Sequence, residues 1–314
     1  MREIGGYFQI ESYCANHYHN NAIRLNTGRN CLEYIIKVRG VKELFVPYYS
    51  CSAILEPVKK LGIKCFFYHI DDSFNPLEIF SLGKNSAFLY INYFGVNDDV
   101  VNKLFYLYGD KLLVDNTQSF FSNPLPSVDT FYSVRKFFGV PDGGYLYINQ
   151  FLDESIDIDL SYERISHLVL REELGANYGY PFFLSSEKSL SMQSIKKMSA
   201  LTEKLCTSIN YIEARKNRNI NFNYLNEALG HKNRFSFNIN TEQAPMVYPY
   251  YTEEGDLRER LASANIYTAC YWKEVLDYRC ITKSEKELVE NIIALPIDHR
   301  YSRADMDYIL ERLG

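Results

Sequence analysis

The chain lacks the features that most directly announce a function class. No apolar run approaches the roughly 18 residues of a membrane-spanning helix, so no membrane partner is expected. The opening MREIGGYFQIE does not have the basic-then-apolar order of a secretory signal. There is no Cys-x-x-Cys pair and no His/Cys cluster at metal-ligand spacing, so no metal is expected. The seven cysteines are odd in number and scattered, which reads as reduced, mostly buried thiols of a cytoplasmic protein. A net charge of -5 gives no reason to seek nucleic acid or an anionic membrane. Neither G-x-G-x-x-G nor G-x-x-x-x-G-K-[ST] occurs, which argues against the common nucleotide-binding loops.

What is present is ordinary globular composition, 46% hydrophobic and 23% charged, with an excess of aromatics: 27 Tyr and 20 Phe. Such a share suits buried strands and large interfaces, where Tyr supplies apolar area and one hydrogen bond. At 314 residues the chain fits a large domain plus a smaller one, expected at 1–215 and 216–314.

The first half alternates strand and helix signals. GRNCLEYIIKVRG reads as a helix closed by Gly40, SAILEPVKKLG as a helix that Pro57 kinks or shortens, and DVVNKLFYLYGD as a third. Between them ELFVP, KCFFYHI, AFLYIN, KLLVD, VDTFYS and GYLYIN read as near-continuous apolar strands. That order predicts an α/β fold, a mostly parallel sheet covered on both faces. From about residue 185 to Gly230 the pattern reads as one long helical stretch. Strands follow at RFSFNIN and MVYPYYT, then helices at DLRERLASANI and SRADMDYILERLG.

Ligands of parallel α/β sheets gather at the carboxyl ends of strands. Asp115 ends KLLVD, with Gln118 on the loop after it. Ser133 ends DTFYS, and Lys136 follows. NTGRN opens a helix whose first N–H groups, at Gly28 and Arg29, would point at an anion. Each has a plain alternative: Lys136 an exposed loop lysine, Asp115 a helix cap, Gly28 a turn glycine, Ser133 a common strand-end residue.

The ordered succession TGRNCL, VPYYSCSAILEPVKKLG, INYFG, VDNTQSFFS, YSVRKFFGVPDGG, LGANYGY and LPIDHRY resembles the DegT/DnrJ/EryC1/StrS sugar aminotransferases. These are pyridoxal 5'-phosphate (PLP) enzymes of fold type I. The resemblance implies a three-layer α/β/α large domain with a smaller C-terminal α+β domain. It implies amino transfer from an amino acid such as glutamate to a keto-sugar, nucleotide-linked, in surface polysaccharide or antibiotic sugar biosynthesis. Lys136 would carry PLP as a Schiff base, which needs a neutral amine. Asp115 would pair with the ring nitrogen, Gln118 would lie near the ring, and Ser133, Gly28 and Arg29 would bind the phosphate. GANYG resembles the family's GxNYR, so Asn177 would reach the phosphate of a neighbouring subunit in a homodimer.

The chain also departs from the family. Ser133 and Lys136 are three residues apart, where the family usually has five. The ring-stacking aromatic would fall near Cys51, with Tyr48 or Tyr49 as substitutes. Gly179 stands where the family often has Arg. These departures keep open a divergent member of the same fold, a dehydratase or a sugar-nucleotide-binding protein without transaminase activity.

Overall fold

The structure, a computed structural model, describes residues 10, 11, 13, 15–237, 239 and 242–314. Cys14, most of the opening segment and two residues of the expected strand 234–240 lie outside them; the described part of that strand is irregular. After the short strand β1 (Ile23–Leu25), the helix α1 (Gly28–Arg39) buries Leu32, Ile35 and Ile36. The Thr27 side chain caps it by accepting from the Asn30 N–H, and Gly40 ends it at φ 60°, a left-handed conformation that glycine adopts without strain. There follow β2 (Glu43–Pro47), α2 (Leu55–Leu61), β3 (Lys64–Tyr68), β4 (Ser86–Ile91), α3 (Asp98–Tyr108), β5 (Leu112–Asp115), β6 (Asp129–Ser133) and β7 (Gly144–Tyr147). Pro57 sits in the first turn of α2, where the missing N–H costs nothing, so the helix starts there instead of kinking.

One seven-stranded sheet has the order β1-β7-β6-β5-β4-β2-β3. Its β3, β2, β4, β5 and β6 run parallel, and β7 and β1 are antiparallel at one edge. Every residue of β4 is buried, which requires cover on both faces of the sheet. The parallel strands end together, and their last residues include Ile91, Asp115 and Ser133.

The long helical reading of 185–230 is corrected. Two helices come before it or overlap it, α4 (Ser166–Leu174) and α5 (Ala176–Ser189). The chain then runs irregularly to Ser199, where Lys197 bridges Leu25 and Ile158. Two further helices follow, α6 (Ala200–Cys206) and α7 (Tyr211–Leu229). Caps force these breaks: Ser199 accepts from Thr202 N–H and Asn210 from Glu213 N–H, starting a helix each time.

The chain ends with β8 (Val247–Tyr251), α8 (Leu257–Ser263), α9 (Lys283–Asn291), β9 (Ile292–Pro296) and α10 (Arg303–Leu313). β8 and β9 pair antiparallel over a second apolar cluster that includes Phe222, Leu225, Leu261 and Ile309. The expected boundary at 215/216 falls inside α7, whose Tyr211 and Ala214 pack into the first core and Phe222 and Leu225 into the second. A reciprocal Ser302–Asp305 capping box opens α10.

Candidate active site

The strand ends bring Asp115, Thr117, Gln118 and Lys136 together, beside the start of α1. The Asp115 side chain is buried and accepts a hydrogen bond from the Thr117 N–H at 2.8 Å. Burial raises its pKa above the usual carboxylate value, opposed by the nearby Lys136 charge and by the Thr117 hydroxyl and N–H. Lys136 closes a one-turn 3₁₀ helix, Val134–Lys136, that follows directly from β6. Lys136 is an exposed residue, and its Nζ donates to Thr117 Oγ1 over 2.9 Å. The short spacing from Ser133 therefore makes a tight turn that still sends the amine back to the end of β5. Ser133 is buried at the end of β6, in register with Gly144 of β7.

Gln118 is fully buried. Its Oε1 accepts from the Phe94 N–H at 2.9 Å, while its Nε2 has no partner among the described residues. A buried donor without an acceptor is unusual enough to mark a place where a ligand oxygen fits.

The first N–H groups of α1, at Gly28 and Arg29, have no acceptor within the helix, and the first turn carries no acidic residue. The Arg29 guanidinium is engaged elsewhere, 3.0 Å from Glu56 Oε1 and 4.0 Å from Glu187 Oε2. Arg135 also pairs with Glu187. What Arg29 offers an anion at this helix start is thus its backbone N–H. A Cβ on Gly28 would stand 3.0 Å from Thr117 Cγ2, so the helix start touches the Asp115–Gln118 loop directly. Gly144 permits the approach from the other side: a Cβ there would stand 2.8 Å from the Thr27 backbone.

Two expected residues lie elsewhere. The Tyr49 ring packs in the core against Tyr93 and Trp272, with centroids at 5.6 and 4.8 Å, because the chain turns inward after Pro47. The half-buried Cys51 is the residue after β2 that feels the Lys136 charge, while burial raises its thiol pKa. Asn177 is exposed on α5 and accepts from the Tyr267 hydroxyl at 3.1 Å, so within one chain it does not join the cluster. His299 packs against Phe138 with centroids at 5.3 Å, and Asp298 pairs with Arg300 at 2.7 Å, a bracing role for LPIDHRY. Among the described residues no group of His, Cys, Asp and Glu gathers as a metal site, and no helix is long and apolar enough to cross a membrane. Sequence reading passed over Thr117, although it lies between Asp115 and Gln118. Spacing alone does not say which loop side chain turns toward the lysine.

No protein-family profile and no curated protein sequence matches the chain. Solved structures do. Spr1654 of Streptococcus pneumoniae, described as a sugar aminotransferase in its PMP form, superposes with a TM-score of 0.63 at 15% identity over 93% of this chain and 86% of that one. A DegT/DnrJ/EryC1/StrS aminotransferase of Brucella abortus gives 0.59 at 16% identity, over 93% and 84%. The chain has the fold of these aminotransferases. ColD, a GDP-4-keto-6-deoxymannose-3-dehydratase holding GDP-perosamine, shares the fold at a TM-score of 0.60 and 16% identity, over 93% and 88%. The α/β/α architecture expected from the sequence is thus that of fold type I.

Proposed function

We propose that the protein is a PLP-dependent aminotransferase acting on a keto-sugar, nucleotide-linked, with an amino acid such as glutamate as donor. The observation that carries this is the convergence of Lys136 and buried Asp115 on Thr117 at the parallel strand ends. The residues present fit PLP. Gln118 Nε2 is a buried donor with no acceptor among the described residues, as a ring oxygen would require. Asp115 would face the ring nitrogen, the Ser133 hydroxyl and the N–H groups of Gly28 and Arg29 would hold the phosphate, and Lys136 would attach the aldehyde carbon. Half-buried Cys51 would border the ring in place of Tyr49. When bound, PLP supplies an aldehyde that takes up the amino group and a ring that accepts electrons.

The remaining steps belong to the chain. Lys136 Nζ takes the proton from the donor's Cα and, in the second half, returns a proton to the sugar carbon that receives nitrogen. Asp115, whose charge is opposed by burial and favoured by the neighbouring lysine and Thr117, would hold a proton on the ring nitrogen. Burial of Asp115 and Gln118 keeps water from the loop that faces the reacting atoms.

A homodimer belongs to the same reading. The hairpin of α4 and α5 exposes Leu174, Tyr178, Tyr180, Phe182 and Leu184 on the stretch that carries Asn177. An exposed stretch this apolar is suited to burial against a second copy, which would bring Asn177 to the partner's phosphate site. A place in sugar biosynthesis in the cytoplasm follows from such a substrate.

The test is spectroscopic. Amino acids are added one at a time to the PLP-saturated protein. The donor converts the visible band to that of the amine form, and a nucleotide-linked keto-sugar restores it while becoming aminated. If no amino acid changes the band, transamination is wrong. Loss of a sugar hydroxyl in place of amination selects the dehydratase reading.

A further inference from the structure

The geometry assigns Thr117 a positioning role: its hydroxyl tethers the Lys136 amine to the Asp115 loop, and so keeps the lysine at the strand ends before any cofactor arrives. This rests on the functional reading above and deepens it.

Lys136 needs such a tether. It is an exposed residue on a single 3₁₀ turn and carries its amine on a flexible four-carbon stem. Its Nζ donates to Thr117 Oγ1 at 2.9 Å. Thr117 itself is held firmly. It is buried, its N–H donates to Asp115 Oδ1 at 2.8 Å, and its hydroxyl also interacts with that carboxylate. On its other side Cγ2 lies 3.0 Å from where a Gly28 Cβ would be. Methyl and hydroxyl are thus turned to different jobs. The methyl packs on the start of α1. The hydroxyl accepts from the lysine, a charge-assisted contact stronger than a neutral one. One residue thereby touches the start of α1, the buried acid and the amine. The shortened Ser133–Lys136 connection makes this useful, since the lysine has only one turn of backbone to direct it.

Two substitutions separate the jobs. Thr117→Val keeps shape and methyl and removes the hydroxyl. Thr117→Ser keeps the hydroxyl and removes the methyl. Cofactor-free protein is reductively methylated under limiting reagent, and the rate at Lys136 is read by peptide mapping against the exposed Lys64 and Lys283 in the same sample. Loss of the hydrogen bond in Thr117→Val is expected to raise the relative Lys136 rate about five-fold. Thr117→Ser is expected to behave like the wild type. Capture of PLP on Lys136 slows in Thr117→Val and not in Thr117→Ser. Equal Lys136 rates in wild type and Thr117→Val would overturn the assignment. So would a Thr117→Ser variant that matches Thr117→Val, because the methyl packing would then be what matters. The methylation rates need no cofactor. A wild type that fails to take PLP on Lys136 therefore overturns the functional reading, while these rates still uphold or overturn the tether.

Discussion

The backbone N–H of Phe94 donates to Gln118 Oε1 at 2.9 Å, so one buried amide joins the loop after β4 to the loop after β5. Phe94 has φ 56°, a left-handed conformation that a bulky residue adopts only when its surroundings impose it. Gln118→Met keeps the volume and removes the acceptor. The Phe94 N–H is then buried without a partner, and the variant should lose about 2 kcal/mol of stability. Urea unfolding with and without PLP checks this. PLP should bind more weakly to the variant, because the Nε2 donor has gone as well.

Asp115 should show the opposite balance. Burial opposes its charge, and the aspartate is kept for what it does rather than for stability. Asp115→Asn retains an oxygen for the Thr117 N–H and removes the buried charge. The cofactor-free protein should gain about 1 kcal/mol, a rise of about 2 °C in Tm. Amino transfer should fall at least about a hundredfold, the scale for losing one placed charge at a reacting centre. Thermal melts and single-turnover spectra read the two effects separately.

His19 sets an acid limit on the fold. It is buried, donates from Nε2 to the Phe120 carbonyl at 2.9 Å and meets the Tyr147 hydroxyl through Nδ1 at 3.1 Å. Burial lowers its pKa from 6.5 to about 4. Above pH 6.5 it is neutral in both states. Between there and about pH 4 the unfolded chain binds a proton that the folded chain refuses, so stability falls as the solution is acidified. The loss should reach up to about 3 kcal/mol. His19→Gln should unfold with a visibly flatter pH dependence across that window, measured by urea denaturation.

Gly144 lets the β6–β7 hairpin press onto the start of α1. An added Cβ would lie 2.8 Å from Thr27 backbone atoms and 2.9 Å from Cys31 Sγ. Gly144→Ala should cost about 2 kcal/mol and weaken phosphate binding by moving the cap. Gly255→Ala is the control, with nothing within 4 Å of its Cβ, and should change stability by less than about 0.5 kcal/mol. Denaturation midpoints and inorganic phosphate titration compare the two.

Much of this was legible in the sequence, for reasons that differ along the chain. The parallel strands announce themselves because burial on both faces leaves them almost wholly apolar, as in SAFLYI. Gly40, Gly62 and the Ser302–Asp305 pair mark helix ends through backbone chemistry that needs no tertiary context. The strand-end candidates Asp115, Gln118 and Lys136 could be listed for the same reason: in such a sheet they have one place to go. The region 185–230 was less legible because helical spacing continues across Leu190–Ser199, where a bridge from Lys197 to Leu25 and Ile158 takes over the backbone. Tyr49 was beyond sequence reasoning because Tyr48 and Tyr49 carry the same signal. Only the packing of Tyr93 and Trp272 decides which ring goes inward. Thr117 was hidden because its role depends on the direction of one side chain.

The most direct test of the account is to saturate the protein with PLP, record the visible spectrum, reduce with borohydride and map the modified lysine. The account predicts a visible band that reduction bleaches, with the label on the peptide carrying Lys136. No band, or a label on a different lysine, would contradict it.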